Sequence, residues 1–453
     1  MKKIGILGYW SGYNYGSELT NYATFLALKR YGYDINMYDI ALGKETYSAP
    51  PLFSINPYPD GILHGRYPTK DELRKINDDC DIFITTSDQQ LNHWVYKVTG
   101  KTAALDFIKS NKRKIAYAAS YGHADLRGTE EDRATMSHFL REIDFFSVRE
   151  KSAVSLSKKY FGVDATFVLD PVFLIKKTDY EKLAEKSNIK LKNEKFIFAY
   201  ILDINDEWLK LIKEYKKEYK LNCIIVTDAT KDKNKDWSNY ADIIEKDLKI
   251  EDWIKFINES SFYITDSFHG TCLGIILKKQ FITLVNKNRG KTRFDSILST
   301  LMLENRMAIN YDEAYSIIHD NTKIDYNNVN NILNKYIDFS ISWLINAIEQ
   351  EIPIKCYSTY DLITDTINDL KLKNSISNID NNNNNQQIID NIILQTNKFH
   401  IYRKYYKSRW LGLLPIPWAE KHRKRAAVLH ELVRRIRRSK KEFRRILRDR
   451  YHV

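Results

Sequence analysis

The chain has 453 residues, more than one ordinary domain, and 43% of them are hydrophobic, so we expect two globular domains with additional segments. Its net charge of +13 is uneven, because residues 398–453 carry 19 of the 71 Lys and Arg but only 4 of the 58 Asp and Glu. The sequence contains no run of 18 apolar residues, which excludes a membrane-spanning helix, and the start MKKIGILGYW has too few apolar residues for a signal peptide. The four cysteines are far apart and lack metal-type spacing, which is typical of a reduced cytosolic protein without structural zinc.

The first 171 residues contain six short apolar runs that predict β-strands. These runs are residues 3–9, 34–40, 80–88, 113–122, 144–150 and 165–171. After the first run, Leu19, Tyr22, Ala23 and Leu26 recur at helical spacing, and Gly32 lies where a C-terminal cap is expected. Strands that alternate with helices in this way predict a parallel sheet.

A second series of apolar runs follows at residues 195–202, 222–228, 261–268 and 280–286. Two such series predict an α/β protein with two Rossmann-like domains facing across a cleft. The expected divisions are an N-terminal domain over 1–175, a C-terminal domain over 190–330, bracing helices over 331–375, an Asn-rich linker over 376–397 and a basic helical tail over 398–453.

Four of the predicted strands end in polar clusters, at residues 85–92, 119–125, 147–152 and 265–271. Ligands of open parallel sheets collect beyond the carboxyl ends of the strands, where helix N-termini also offer free N–H groups to anions. Polar strand ends also arise simply because the chain reaches the surface there. The presence of four clusters in one chain favours a ligand site.

Seven segments occur in the order in which they are found in one known family. They are YNYGSELTNYATFLAL after the first strand, TSDQQLN after the third, AYAASYG, DFFSVREKSAV, VLDPVFL, YITDSFHGTCLGII and KTRFDSIL. As an ordered set over residues 4–303, they resemble the polysaccharide pyruvyl transferase family. The resemblance implies a fold like that of glycosyltransferase-B enzymes, phosphoenolpyruvate as donor and no cofactor. It also implies a sugar hydroxyl pair as acceptor and a cyclic pyruvate ketal as product in bacterial surface polysaccharide biosynthesis.

The donor site should contain planar, permanently charged groups, because phosphoenolpyruvate carries both a carboxylate and a phosphate. Arg149 is the first candidate, and the resemblance points to the same residue; its alternative role is a structural ion pair with Glu150 or another acid. His269 is the candidate acid that protonates the methylene carbon, as the S-F-H-G position of the family implies; its alternative role is to cap a helix. We expect Gly270 to allow close approach of a ligand, and a helix opening at Thr271 to direct N–H groups at phosphate.

Further donor contacts are expected from Ser267, Arg289, Lys291 and Arg293. Many family members have arginine at the position of Ser267, so one phosphate ligand is expected either to be missing or to be supplied by Arg289 or Arg293; a solvated basic loop is the alternative role of this segment. The family's third-strand motif often contains a tryptophan, which TSDQQLN lacks.

The acceptor site is expected to include residues from the loops after the first and third strands: Asn14, Gly16, Asp88, Gln89 and Asn92. Asp88 could equally cap the following helix. The glycines of the first loop match no dinucleotide or P-loop pattern. No His, Asp and Glu cluster has the spacing of a metal site.

The tail places Leu429, Leu432, Val433, Ile436 and Phe443 on one helical face and fills the rest with arginines. Such a helix can lie on an anionic membrane surface, bind nucleic acid or pack as an ordinary helix. We expect the membrane and no nucleic acid, because acceptors of the resembled class are often built on lipid carriers. The protein is therefore expected in the cytoplasm, peripherally associated with the inner face of the membrane.

Three functions follow from these observations. The first is a pyruvyl transferase acting on a lipid-linked or nucleotide-linked saccharide, with the lipid-linked form preferred. The second is a two-domain glycosyltransferase that uses a nucleotide-sugar donor, which the ordered motifs disfavour. The third is a non-enzymatic nucleic-acid or membrane-binding protein, which only the tail suggests.

Overall fold

The computed structural model describes residues 2–8, 14–40, 52–65, 67, 69–86, 89, 91–92, 102, 104–109, 111–123, 129, 133, 136–137, 139–191, 194–227, 241, 243–245, 248–285, 290–320 and 322–350. The chain divides into two compact units, Met1–Ile352 and Pro353–Val453. The predicted linker 376–397, the tail 398–453 and the end of the predicted bracing segment lie outside the described residues.

The first sheet contains seven parallel strands in the order β3-β2-β1-β4-β5-β6-β7. Their bounds are β1 Lys3–Gly8, β2 Asp34–Asp39, β3 Leu63–His64, β4 Ile82–Thr86, β5 Arg113–Ala119, β6 Phe145–Val148 and β7 Thr166–Phe167. The strands β1 and β4 are almost entirely buried, as expected for a parallel sheet covered on both faces. The chain order reverses between β1 and β4, so a ligand crevice is expected at the ends of these two strands.

The second sheet contains six parallel strands in the order β10-β9-β8-β11-β12-β13. Their bounds are β8 Phe196–Ile201, β9 Asn222–Thr227, β10 Ile243–Glu245, β11 Phe262–Thr265, β12 Phe281–Leu284 and β13 Met307–Ala308. Its chain order reverses between β8 and β11, which repeats the topology of the first sheet. The predicted pair of Rossmann-like domains is therefore confirmed.

Ten α-helices accompany the sheets in the described residues. They are α1 Tyr15–Arg30, α2 Lys70–Leu73, α3 Lys151–Leu156, α4 Lys177–Ala184, α5 Asp206–Tyr219, α6 Ile250–Glu259, α7 Phe268–Ile276, α8 Lys291–Thr300, α9 Tyr311–His319 and α10 Tyr326–Glu349. A 3₁₀ turn, Pro171–Leu174, connects the two sheets. Within the described residues, no helix combines the length and the apolar composition that crossing a bilayer requires.

The helix α1 shows how the chain encodes these elements. Asn14 caps its start by accepting hydrogen bonds from the N–H groups of Gly16 and Ser17. After its end, Gly32 adopts a φ of +82°, and its N–H donates to the carbonyl of Lys29 at 3.0 Å. These caps fix the direction of α1, so that its first turn begins at the carboxyl edge of β1.

The helix α10 contacts both halves of the described unit, namely the first half with the sheet β1–β7 and the second half with the sheet β8–β13. At its start, the Tyr326 hydroxyl donates to the Gly274 carbonyl at 3.2 Å in the second half. Further along, the Ser340 hydroxyl accepts from the Leu169 N–H at 3.0 Å, and Glu349 pairs with Lys2 at 2.7 Å. The helix thus contacts both halves of the described unit.

Candidate active site

The helix α7 begins immediately beyond β11, and its first turn is built by two polar side chains. The Asp266 carboxylate accepts from the backbone N–H groups of Leu202 and Asp203 at 2.6 and 2.8 Å, which ties the end of β11 to the end of β8. The Ser267 hydroxyl caps the helix by accepting from the Gly270 N–H at 3.2 Å. His269 is therefore the second residue of α7, and it is buried at the crevice edge of the second sheet.

The predicted helix opening at Thr271 is wrong, because Ser267 starts the helix at Phe268. The Thr271 N–H is already used in the helix, where it donates to the Ser267 carbonyl at 2.9 Å. Since the Gly270 N–H is taken by the Ser267 hydroxyl, neither of these two groups is left to hold a phosphate.

His269 lies in a buried network with Arg149 and Asp170. Nη1 of Arg149 donates to Oδ2 of Asp170 at 2.5 Å, and Nε2 of His269 lies 3.5 Å from the same oxygen and 3.4 Å from Nη1. Burial opposes ionisation of the Asp170 carboxyl, but the charges of Arg149 and His269 outweigh it and hold its pKa below the ordinary value. Asp170 is therefore an anion that orients both the guanidinium and the imidazole.

The hydrogen bonds around Thr20 indicate which imidazole nitrogen carries hydrogen. The Thr20 hydroxyl donates to the Gly16 carbonyl at 2.8 Å, and its oxygen lies 3.2 Å from Nε2 of His269. Nη1 of Arg149, 3.4 Å from Nε2, can only donate to that nitrogen, but the Thr20 hydroxyl hydrogen is already used, so the Thr20 contact suits an Nε2 that donates. The Asp170 carboxylate near the same nitrogen favours the same assignment.

Gly16 provides the space that the imidazole occupies. A Cβ atom added to Gly16 would lie 1.9 Å from Nδ1 of His269, so the ring packs directly against the first turn of α1. Gly16 therefore lies in α1 and not in the loop predicted from the sequence, and it meets His269 of α7 where the two halves are in contact.

A second buried arginine approaches from α8. The Arg293 guanidinium carbon lies 5.3 Å from the centre of the Phe268 ring, and that of Arg149 lies 4.8 Å from the same ring. With the Gln89 amide oriented to suit its neighbours, its oxygen accepts from both terminal nitrogens of Arg293 at 2.9 Å. The structure therefore brings two guanidinium groups and an imidazole around one phenylalanine.

Glu150, which follows Arg149, lies deep in the same region. The Ser120 hydroxyl donates to its Oε1 atom, and the side chain is buried. Burial raises the pKa of the Glu150 carboxyl above its ordinary value, and the charges of Arg149 and Arg293 lower it only in part. The alternative expectation of an ion pair for Arg149 thus applies, but its partner is Asp170.

Several other residues proposed from the sequence have a structural role here. Asn14 caps α1 and Ser267 caps α7. A Cβ atom at Gly270 would lie 2.6 Å from side-chain oxygens of Thr265 and Tyr263, so this glycine is required by packing within the second half.

The remaining residues predicted for the donor and acceptor sites lie in different parts of the chain. Lys291, at the start of α8, is half-exposed and forms an ion pair with Asp295 one turn along the helix. In the same amide orientation, the Gln89 side-chain nitrogen lies 2.9 Å from Nδ2 of Asn92. Asp88 and Arg289 lie outside the described residues.

Four residues of this site were not singled out from the sequence: Thr20, Glu150, Asp170 and Phe268. Asp170 carries a signal, since it is the acidic residue of the apolar segment VLDPVFL, where it also caps the 3₁₀ turn. Glu150 and Phe268 adjoin the residues that were chosen. Thr20 has no local signal, because only the packing of α1 against α7 shows its role. Across the described ranges, no group of three or more His, Cys, Asp and Glu residues could hold a metal ion.

The comparisons with known proteins agree with this fold. The family model for polysaccharide pyruvyl transferase matches residues 14–288, more than half of the chain. No curated protein matches significantly by sequence. Among solved structures, the UDP-GlcNAc 2-epimerase of Neisseria meningitidis bound to UDP-GlcNAc is similar with a TM-score of 0.52 and 11% identity, over 77% of this chain and 99% of that one.

Two further structures are similar at lower scores. The S. aureus MnaA–UDP complex has a TM-score of 0.47 and 16% identity, over 77% of this chain and 96% of that chain. The UDP-GlcNAc 2-epimerase of Methanocaldococcus jannaschii, in complex with UDP-GlcNAc and UDP, has a TM-score of 0.45 and 15% identity, over 74% and 99%. At these identities the likeness concerns the fold alone.

Proposed function

We propose that this chain, which belongs to the polysaccharide pyruvyl transferase family, transfers the enolpyruvyl unit of phosphoenolpyruvate to two hydroxyl groups of a sugar. The product is a cyclic pyruvate ketal, and phosphate leaves. The observation that carries the proposal is the pair of buried arginines, Arg149 and Arg293, which both lie over the ring of Phe268, with His269 beside Arg149.

The two guanidinium groups suit the two anionic ends of the donor. Each guanidinium offers a planar fork of donors that fits a carboxylate or a phosphate, and both are held where strand ends and helix starts converge. The Phe268 ring contacts both guanidinium groups. In this proposal Ser267 fixes the helix that carries Phe268 and His269, while Arg289 and Lys291 contribute further positive charge for donor binding.

His269 supplies the first proton. The electron-rich methylene carbon of phosphoenolpyruvate takes a proton, and the cationic carbon that results is attacked by a sugar hydroxyl. Because Nε2 faces Thr20 and Asp170, the ring is held in one orientation. A carboxylate that orients a histidine in this way is a common arrangement in proton-transfer sites.

The acceptor is proposed to lie toward the first sheet. Gln89 and Asn92, which follow β4, offer amide groups to sugar hydroxyls, and Asn14, Gly16 and Asp88 are the other acceptor-binding residues of the proposal. We propose that the saccharide is lipid-linked. The basic tail 398–453 then holds the protein on the anionic inner face of the membrane, where each basic residue near the surface contributes about 1 kcal/mol.

The first experiment incubates the purified full-length protein with phosphoenolpyruvate and an extract of lipid-linked saccharides from the same cells. Phosphate release and a mass gain of one pyruvate ketal are measured in parallel for the wild type and for His269→Ala. We expect both signals in the wild type and neither in the variant. His319→Ala is the matched control, since this histidine pairs with Glu218 on the protein surface, and it should retain activity.

Two other outcomes would change the proposal. If the wild type does not turn over phosphoenolpyruvate but binds a nucleotide sugar, a glycosyltransferase function replaces it. If a chain that lacks residues 398–453 binds anionic vesicles as well as the full chain does, the membrane role of the tail is wrong. With soluble acceptors, the truncated chain should keep its activity.

A further inference from the structure

Glu150 occupies the capping position of α3 but does not cap the helix. Its backbone is extended, and its carboxyl turns instead toward the Ser120 hydroxyl at the end of β5. The first N–H of the helix, that of Lys151, donates to the Ser296 hydroxyl of α8 at 3.0 Å. Glu150 is only 1% exposed, and its Oε2 atom has no hydrogen-bond partner among the described residues. A buried carboxyl with one oxygen left over is costly unless a ligand or a proton satisfies it.

The two buried carboxyls near Arg149 have opposite environments. Asp170 is in direct contact with the guanidinium, and the charges of Arg149 and His269 overcome the effect of burial on its pKa. Glu150 accepts from a neutral hydroxyl, and burial outweighs the two arginines, so that its pKa is raised. When the pKa values of two neighbouring acids are shifted in opposite directions in this way, one acid remains an anion and the other can carry a proton.

Two buried hydroxyls in the first turns of α3 and α8 also lack partners in the described part of the chain. They are Oγ of Ser152, in the first turn of α3, and Oγ1 of Thr292, in the first turn of α8. The two helices are joined by the hydrogen bond from Lys151 to Ser296, and Thr292 precedes Arg293. Two unused hydroxyl donors and a guanidinium are suited to a group with several anionic oxygens, which favours the phosphate end of the donor at this junction.

We propose that Glu150 is the general acid that protonates the leaving phosphate, and that it then takes the proton of the second sugar hydroxyl. This inference rests on the proposed function. It divides the reaction between two groups, with His269 serving the addition of the first hydroxyl and Glu150 serving the elimination and ring closure.

The protons balance over the two halves. In the addition, His269 gives its proton to the methylene carbon, the first hydroxyl oxygen bonds to the central carbon, and the hydroxyl proton returns to His269. In the elimination, Glu150 gives its proton to the bridging oxygen as the bond between that oxygen and the central carbon breaks. The second hydroxyl then closes the ketal and gives its proton to the Glu150 carboxylate, so the enzyme returns to its starting state with phosphate released.

The test is Glu150→Gln in the full-length protein, run in deuterated water with phosphoenolpyruvate and the acceptor extract. Glutamine keeps an oxygen that can accept from Ser120 but cannot give up a proton in this range of pH. We expect phosphate release to fall about 10²- to 10⁴-fold. We also expect a saccharide adduct that retains its phosphate and carries one deuterium on the former methylene carbon. Glu251→Gln is the matched control, because Glu251 is an equally buried carboxylate that accepts from the Ser54 backbone, and it should release phosphate at the wild-type rate.

The outcomes separate this inference from the function beneath it. A wild type that makes no ketal contradicts the proposed function itself. If the wild type makes ketal and a folded Glu150→Gln does so within threefold, Glu150 is not the acid. If the folded variant forms neither adduct nor deuterated material, the residue acts before the addition and the assignment is overturned. If glutamine prevents folding, Glu150→Asp replaces it, since it retains the acid one methylene further away and should still accumulate the adduct.

Discussion

Arg149 and Asp170 form an ion pair of 2.5 Å although each side chain is only about 1% exposed. Separating such a pair leaves a charge that water cannot reach, which costs far more than the loss of a surface pair. We therefore expect Asp170→Ala to lower the free energy of unfolding by about 3–5 kcal/mol. Urea denaturation of the variant and the wild type measures this difference.

The control for this prediction is Asp164→Ala. Asp164 pairs with Lys158 at 2.6 Å, but both side chains are largely exposed, so its removal should change the free energy of unfolding by less than about 1 kcal/mol. Equal effects of the two substitutions would contradict a special role for the buried pair.

Gly16→Ala tests the packing of the imidazole against α1. The new Cβ atom would lie 1.9 Å from Nδ1 of His269, so the ring has to move from its position beside Asp170. A displacement of about 1 Å at a reacting group can reduce the rate roughly 10²-fold, and we expect kcat to fall by that order. Steady-state kinetics of phosphate release measures the change.

Gly5→Ala is the matched control for overpacking without displacement of the histidine. Its Cβ atom would lie 2.8 Å from the Phe83 side chain, within the first sheet. We expect it to reduce stability by about 1–3 kcal/mol and to leave kcat near the wild-type value. A similar loss of kcat in both variants would attribute the effect of Gly16→Ala to general destabilisation.

The central strands could be predicted from the sequence because each is a buried apolar run. All ten predicted strands occur, and most of their ends differ by one or two residues, although the predicted 261–268 shortens to Phe262–Thr265 because Asp266 and Ser267 bond across the strand end and cap α7. Three strands had no such signal: Leu63–His64, Ile243–Glu245 and Met307–Ala308. They are two or three residues long, and only their pairing with a neighbouring strand defines them.

The site was less predictable than the sheets. His269 and Arg149 follow strands directly, so their place at the crevice edge follows from topology. The partner of Arg149 could not be predicted from topology, because Asp170 lies beyond β7 and meets Arg149 only when the sheet is formed. The contact of Gly16 with His269 depends on how two halves of the chain pack, which no local pattern encodes.

Phe268→Leu tests the aromatic ring that both arginines contact. Leucine keeps apolar volume but lacks the π-face that attracts Arg149 and Arg293. Loss of these contacts should misalign the guanidinium groups and weaken phosphoenolpyruvate binding by about 1–2 kcal/mol, or roughly five- to thirtyfold in Kd. Isothermal titration measures the affinity. Phe294→Leu, which alters the ring packed edge-on against Phe268, should leave the Kd close to that of the wild type.

The last prediction concerns Glu18, in the first turn of α1. Burial raises the pKa of its carboxyl from 4.5 to about 8, and the Asp39 carboxylate adds to the rise. Because the native state then holds a proton that the unfolded chain releases, the free energy of unfolding should fall as the pH rises from about 4.5 to about 8.

The side chain introduced by Glu18→Gln cannot ionise. The fall in the free energy of unfolding that Glu18 causes should therefore disappear in this variant. Relative to the wild type, the variant should gain stability between pH 5 and pH 9, as measured by urea denaturation at both values. Asp39→Asn removes the neighbouring charge and should reduce, without abolishing, the pH dependence of the wild type. The free energies of unfolding of Glu18→Gln and the wild type are compared at pH 5 and at pH 9. If their difference is the same at both pH values, Glu18 does not hold a proton in the folded protein.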